Sequence, residues 1–385
     1  MPSLGASLKK ASKREVKSKE SVWKGPEVDG ITQSLLSRFL CCRERFRLLV
    51  VEGLKPAPSF NHRLEFGQMW HICEEALASE KVHFKENQQG IMTTLIEDNL
   101  KKYCRGLCQK YRTQQEQIVH WMNVVKVAFP IYVDYWAKHQ DVKDRTPLLQ
   151  EQVFDVPYTL PSSRVVRLRG KWDSVDLIGR GKNSGVYLQE NKTKGDINEE
   201  QLKRQLSSGF DLQTMLYLVA LAYSEEIGSM PCRLAGVRYN VIRRPLSGGR
   251  GSIKQLKPTK GNPAGESSDE FYARLGEIIK EDPSYFFMRW KIEVSPQDIE
   301  RFRDECLDPI LEDLCDWWDR IQCSLRMSAN PFTHKIRDDL GRHFRAPFGV
   351  YDVLKEGGSS DLDEFLQSGS ELGLVRTDNL FTELV

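Results

Sequence analysis

The sequence predicts an α/β fold. Three stretches in the middle of the chain, 148–156, 165–178 and 185–192, are short and β-patterned. Helical patterns with a 3.6-residue period lie on both sides, over 63–78, 91–112 and 115–138 before them and over 198–226 after them. Between the second and third stretches runs the polar, glycine-rich Gly179-Arg180-Gly181-Lys182-Asn183-Ser184-Gly185. Such a run suits a hairpin connection, so those two strands should lie antiparallel.

The chain has 385 residues, enough to bury one elaborated core or two smaller ones. With 40% hydrophobic and 29% charged residues it reads as soluble and globular. No apolar run approaches the roughly 18 residues of a membrane span; the longest, Met215 to Tyr223, stops at Ser224-Glu225-Glu226. A membrane partner is therefore not expected. The first 25 residues lack the hydrophobic segment of a signal peptide. Nine cysteines, an odd number without framework spacing, point to a reducing, cytoplasmic setting with neither disulfides nor structural zinc.

Residues 1–28 are rich in Lys, Ser and Glu without apolar period, which predicts a disordered basic tail. A helical region follows over 29–145. Its first helix is expected from Ile31, where Thr32 or Ser34 can act as cap, and continues through Phe39, Leu40 and Phe46. The 63–78 helix carries Gly67-Gln68-Met69-Trp70-His71. Gly67 and His71 lie one turn apart on one face, and the glycine lets another backbone come close. A lone histidine there reads, on its own, as an ordinary polar core residue. In the 115–138 helix, Trp121, Val125, Phe129, Val133 and Trp136 form an apolar stripe that reads as core.

Residues 146–245 hold the three strands and then the 198–226 helix, where Gln213 and Tyr217 fall at i and i+4 and project together toward the sheet. A further strand is expected over 234–242. The loop over 246–265 is long for a structureless connection. Arg243, Arg244, Arg250, Lys254, Lys257 and Lys260, with no acid among them, lead into and along it. They read either as contacts to nucleic-acid phosphates or as solvated loop charges. Residues 266–355 should continue the same domain, with a helix over 268–281, a strand over 285–294 and a long helix over 296–327. The acidic tail, 356–385, sets seven acids against the single base Arg376.

Chemistry concentrates on the third strand. Val186, Leu188, Glu190 and Lys192 point to one face, and a buried carboxylate costs several kcal/mol without compensation. Asp173 ends the run from Val165 through Leu168-Arg169-Gly170-Lys171-Trp172-Asp173, and the hairpin can bring it beside Glu190. Two carboxylates and one lysine then converge. Hard oxygen donors suit Mg²⁺ or Mn²⁺, and the ammonium can hold a water or steady charge on a phosphate, which fits phosphodiester hydrolysis. Of the acid-x-Lys triplets Glu15-Val16-Lys17, Asp141-Val142-Lys143 and Glu190-Asn191-Lys192, only the last ends a β-patterned run with an aspartate ending the strand before it. Glu151, in the first strand, reads either as a further acid of the site or as an edge-strand charge.

Taken in order, five motifs resemble the PD-(D/E)XK nucleases of the RecB-like branch over residues 31 to about 225. They are a Ser-rich helix ending Cys42-Arg43-Glu44-Arg45-Phe46, Gly67-x-x-x-His71, the Leu168 to Asp173 run, Glu190-Asn191-Lys192-Thr193 and Gln213-x-x-x-Tyr217. The resemblance implies a restriction-endonuclease-like core, a mixed central sheet flanked by helices, with a helical N-terminal insertion and a helical C-terminal part. It implies His71, Asp173, Glu190 and the Asn191 backbone carbonyl as metal ligands and Lys192 as catalytic lysine. Gln213 and Tyr217 would brace the site or contact the DNA backbone. The implied cofactor is a pair of Mg²⁺ or Mn²⁺ ions about 3.5–4 Å apart. Some relatives hold an iron–sulfur cluster with a cysteine like Cys42 and three more near the C-terminus. Here no cysteine follows Cys323, and His334 and His343 stand in that region, so no cluster is expected.

The activity that follows is that of a metal-dependent DNA exonuclease in recombination, repair or phage DNA processing. Its expected partners are DNA and a recombinase or single-strand-binding protein. The alternatives are a structure-specific endonuclease or flap nuclease with the same site, and a non-catalytic nucleic-acid-binding protein on the same fold.

Overall fold

A computed structural model of the chain describes residues 21–41, 43–56, 59–78, 89–139, 144–181, 184–198, 200, 204, 211–228, 230, 232–246, 253–261, 263–322, 374–377, 379–381 and 384. They fall into two compact units. The smaller takes Met1–Lys24, Arg38–Ala57 and Met327–Thr382, and the larger takes Gly25–Ser37, Pro58–Arg326 and Glu383–Val385.

In the larger unit, β2 (Arg145–Thr159), β3 (Val165–Ile178), β4 (Gly185–Lys194), β5 (Leu234–Arg243) and β6 (Phe287–Glu293) form one sheet in that order. The β3–β4 pair is antiparallel, as the glycine-rich connection predicts, with Ser174 opposite Gln189 and Ile178 opposite Gly185. Gly179 and Gly181 take positive φ in the turn. β4 and β5 run parallel, so the sheet is mixed. A parallel pair needs a crossover, and helix α6 (Leu212–Tyr223) lies in it. β5 is buried at every position, Arg238 and Asn240 included, as befits a central strand covered on both faces.

The helices before the sheet are α1 (Gln33–Cys41), α2 (Arg43–Phe46), α3 (His62–Ala78), α4 (Gln89–Lys110) and α5 (Gln115–Ala137). The expected cap of the first is Thr32, whose hydroxyl accepts from the Leu35 N–H at 3.4 Å. Just ahead of it, Ile31 bridges to Leu168 of β3, and Gly30 turns the chain with φ +80°. The α5 stripe is core: Trp121, Val125, Phe129, Val133 and Trp136 are all buried with Trp70 of α3 and Leu275 of α7 (Ser268–Glu281).

Three elements differ from expectation. Tyr285 and Phe286 belong to a helical turn, Pro283–Phe286, because Pro283 suits a first helical position and the Asp282 carboxylate accepts from the Tyr285 N–H at 3.2 Å. The long C-terminal helix is divided into α8 (Pro296–Phe302) and α9 (Asp308–Gln322) by a π-helical stretch, Arg303–Leu307. The helix expected over 198–226 is helical at Glu200 and Arg204, breaks at Asp211, whose carboxylate takes the Thr214 hydroxyl, and resumes over Leu212–Tyr223.

The smaller unit uses both expected tails. Residues 1–20 lie outside the described residues, but Trp23 is fully buried, edge-on to Phe46 at 5.1 Å, and the Val22 N–H donates to the Val51 carbonyl at 2.8 Å. β1 (Leu54–Pro56) pairs antiparallel with β7 (Leu374–Arg376), so part of the acidic tail is a strand. Among the described residues no helix is long and apolar enough to cross a membrane.

Candidate active site

The β3–β4 register brings Asp173 alongside the end of β4, where its Oδ2 accepts from the Asn191 backbone N–H at 2.7 Å. Glu190 and Lys192, two residues apart on one strand, share a face. Lys192 Nζ donates to Glu190 Oε2 at 2.8 Å and to Gln213 Oε1, from the first turn of α6, also at 2.8 Å. Glu190 has no exposed surface, and its second oxygen, Oε1, is buried without a hydrogen-bond partner. Burial and neighbouring Asp173 raise the Glu190 carboxyl to about 7, against the lowering pull of Lys192. Burial and Glu151 likewise hold Asp173 above the usual carboxylate range. For Lys192 burial acts the other way, and Glu190 and Asp211 outweigh it, so the ammonium stays charged.

His71 reaches this group from α3. Its Nδ1 lies 3.1 Å from Glu151 Oε1 and 3.6 Å from Asp173 Oδ1. Burial would lower the imidazole, but Asp173 and Glu151 outweigh it and raise it to about 9. Gly67, one turn earlier, is where α3 meets β4: a Cβ added there would lie 3.2 Å from Thr193 Oγ1. Glu151 therefore meets His71 and Asp173 in one group. It sits inside β2 with φ +47°, a left-handed conformation that costs about 1–3 kcal/mol for a residue with a Cβ and persists only where its surroundings demand it. Those surroundings are His71 and Lys171, whose Nζ pairs with Glu151 Oε2 at 2.8 Å. Sequence reasoning missed Lys171; its signal was its place two residues before Asp173.

The side chains of His71, Glu151 and Asp173 each offer a ligand atom, all within 4.8 Å of one another. Glu190 stands outside that group, turned to Lys192. The donors are oxygen and imidazole nitrogen with no thiolate, and among the described residues the carboxylates Glu151 and Glu190 pair with Lys171 and Lys192, while Asp173 faces His71. With a buried carboxylate oxygen lacking any partner, this set fits a hard divalent cation.

A buried polar network also escaped the sequence reading. The Asn240 amide donates to Asn191 Oδ1 at 2.8 Å and to the Tyr132 hydroxyl at 2.7 Å, and that hydroxyl donates to Glu74. Farther along, Asp176 accepts from Arg145 at 2.7 Å and Arg238 at 2.9 Å, which outweigh its burial and hold its carboxyl low. Its signal was polar residues at i and i+2: Ser174 and Asp176, Gln189 and Asn191, Arg238 and Asn240.

Tyr217 is half-buried beside the site, edge-on to Phe154 at 5.3 Å, where a Cβ on Gly170 would come within 3.0 Å of its ring. Arg243 is buried; it stacks on Tyr285 at 4.0 Å and donates to the Tyr285 carbonyl at 3.0 Å. Arg244 is buried too, while Lys254, Lys257 and Lys260 are exposed and Arg250 lies outside the described residues. No curated protein is similar enough to stand as a relative of this chain. The family model of the PD-(D/E)XK nuclease superfamily matches residues 31–324, a span that holds the hairpin, the histidine helix and the Gln213 helix alike, and the chain belongs to that superfamily.

Proposed function

We propose that this nuclease is a metal-dependent DNA exonuclease of the RecB-like branch. The observation that carries the reading is Glu190: a fully buried carboxylate with one oxygen on Lys192 and the other without a partner, beside Asp173. His71, Asp173, Glu190 and the Asn191 carbonyl are the proposed ligands, and Glu151 joins them. Bound Mg²⁺ or Mn²⁺ would make a water acidic enough to attack at neutral pH and offset charge on the phosphate.

The chain's own residues do the rest. Glu190 and Gln213 fix Lys192 Nζ in place, leaving its remaining N–H to orient the attacking water or meet charge growing on a phosphate oxygen. The Asn191 amide holds Asp173 at one oxygen and leaves the other toward His71. Tyr217 acts through packing, by seating α6 and with it Gln213.

The test is digestion of end-labelled linear duplex, linear single strands and circular single strands with Mg²⁺, Mn²⁺ or chelator. We expect metal-dependent products from the linear substrates alone, and Lys192→Ala should cut the rate by about 10²-fold or more while DNA binding persists. Products from the circles would make the enzyme an endonuclease. No products with either metal would end the reading.

A further inference from the structure

Away from the catalytic group, the larger unit buries a cation with no acidic partner among the described residues. Arg244 follows β5, and its N–H donates to the Lys194 carbonyl at 2.8 Å, which puts it at the end of β4, two residues past Lys192. Only 8% of Arg244 is exposed, and its buried Nε has no hydrogen-bond partner. The other buried arginines differ: Arg238 pairs with Asp176 at 2.9 Å and Arg243 with Asp196 at 3.5 Å. Among the described residues the charge that acts on Arg244, that of Arg63, has its own sign. Burial and then Arg63 lower its pKa, and burial, Arg244 and Arg63 in turn lower that of His62.

Keeping a guanidinium buried among cations costs stability, so a counter-charge is missing. The surroundings suit an anion. His62 and Arg63 open the 17-residue helix α3, whose N-terminal end carries partial positive charge. The Asn61 side chain takes the Arg63 N–H at 3.0 Å, and the His62 ring stacks on Trp121 at 5.1 Å, which leaves exposed Arg63 as the open side.

Position names the anion. Arg63, Gly67 and His71 follow at i, i+4 and i+8, so one face of α3 runs from the cations, past Thr193 of β4, to Asp173. Eight residues of helix span about 12 Å, a few nucleotides of strand. We propose that Arg244 and Arg63 bind a backbone phosphate of the nucleic-acid strand a few nucleotides from the bond to be cut. The substrate class rests on the nuclease reading, whereas the binding of phosphate does not.

The test uses the full chain without divalent metal, so that cleavage plays no part. Binding of a fluorescein-labelled single-stranded DNA is followed across a salt series for wild type, Arg63→Ala, Arg244→Met and Lys192→Ala. The melting temperature is read in inorganic phosphate and in chloride at equal ionic strength. We expect Arg63→Ala and Arg244→Met each to flatten the slope of log Kobs against log salt by about 0.7 and to lose the stabilisation by phosphate. Arg244→Met should melt no lower than wild type, since it removes an unpaired buried charge, and Lys192→Ala should keep the phosphate effect. Unchanged slopes in both arginine variants overturn the proposal, and so does an Arg244→Met protein that melts well below wild type, which marks a structural role. Full slopes and a phosphate effect without metal-dependent products would sink the exonuclease reading and leave this site standing.

Discussion

Glu190 and His71 both hold protons more tightly than they would in water, Glu190 to about 7 and His71 to about 9. A cation entering the site must displace those protons, so Mn²⁺ affinity should rise between about pH 6 and 8, by up to tenfold per unit for each proton displaced. Calorimetry in two buffers of different ionisation heat measures the protons released; an affinity flat with pH would count against these ligands. Glu151→Gln keeps the shape and removes the charge that faces His71 and Lys171. We expect it to weaken Mn²⁺ binding about 10- to 100-fold with the protein still folded. A titration unchanged from wild type would return Glu151 to a purely structural role.

The elements place these residues with local means. The β3–β4 hairpin was readable because alternation and turn glycines act over a few residues, and it carried Asp173 and Glu190 with it. Helix α3 was equally readable, and Gly67 does let it approach β4. The division of the C-terminal helix was not, since its apolar period runs on across Arg303–Leu307. At this scale the turn at Gly30, ahead of α1, makes a sharp prediction. Gly30 has φ +80°, and a Cβ there would stand 2.7 Å from the Arg167 carbonyl oxygen. Gly30→Ala should cost about 2 kcal/mol or more in a denaturant melt, and a wild-type midpoint would show that the Ile31–Leu168 bridge tolerates the change.

For the whole molecule, the raised groups fix the sign of the pH dependence. A group whose folded pKa lies above its unfolded one stabilises fully below the unfolded value and loses that contribution as pH rises. For Glu190 the window runs from 4.5 to about 7, and for His71 from 6.5 to about 9. The metal-free protein should therefore lose stability as pH rises across both windows. Mn²⁺ at about 100 times its Kd adds about 2.7 kcal/mol, and its effect on Tm should grow with pH. Thermal melts with and without Mn²⁺ from pH 5 to 9 check both, and a metal-free protein that gains stability over that range would contradict the site electrostatics.

Read as a string, the chain already specified its mixed strand-and-helix character, the antiparallel hairpin and the Asp173, Glu190 and Lys192 convergence, because alternation, turn chemistry and i,i+2 spacing are properties of neighbours. Folding alone settled that Glu151 joins His71, that Arg243 is packed on Tyr285 and that Arg244 is buried with no acidic partner among the described residues. These encounters join residues far apart in the chain, 71 with 151, 243 with 285 and 63 with 244, and no local pattern reports which of them will meet.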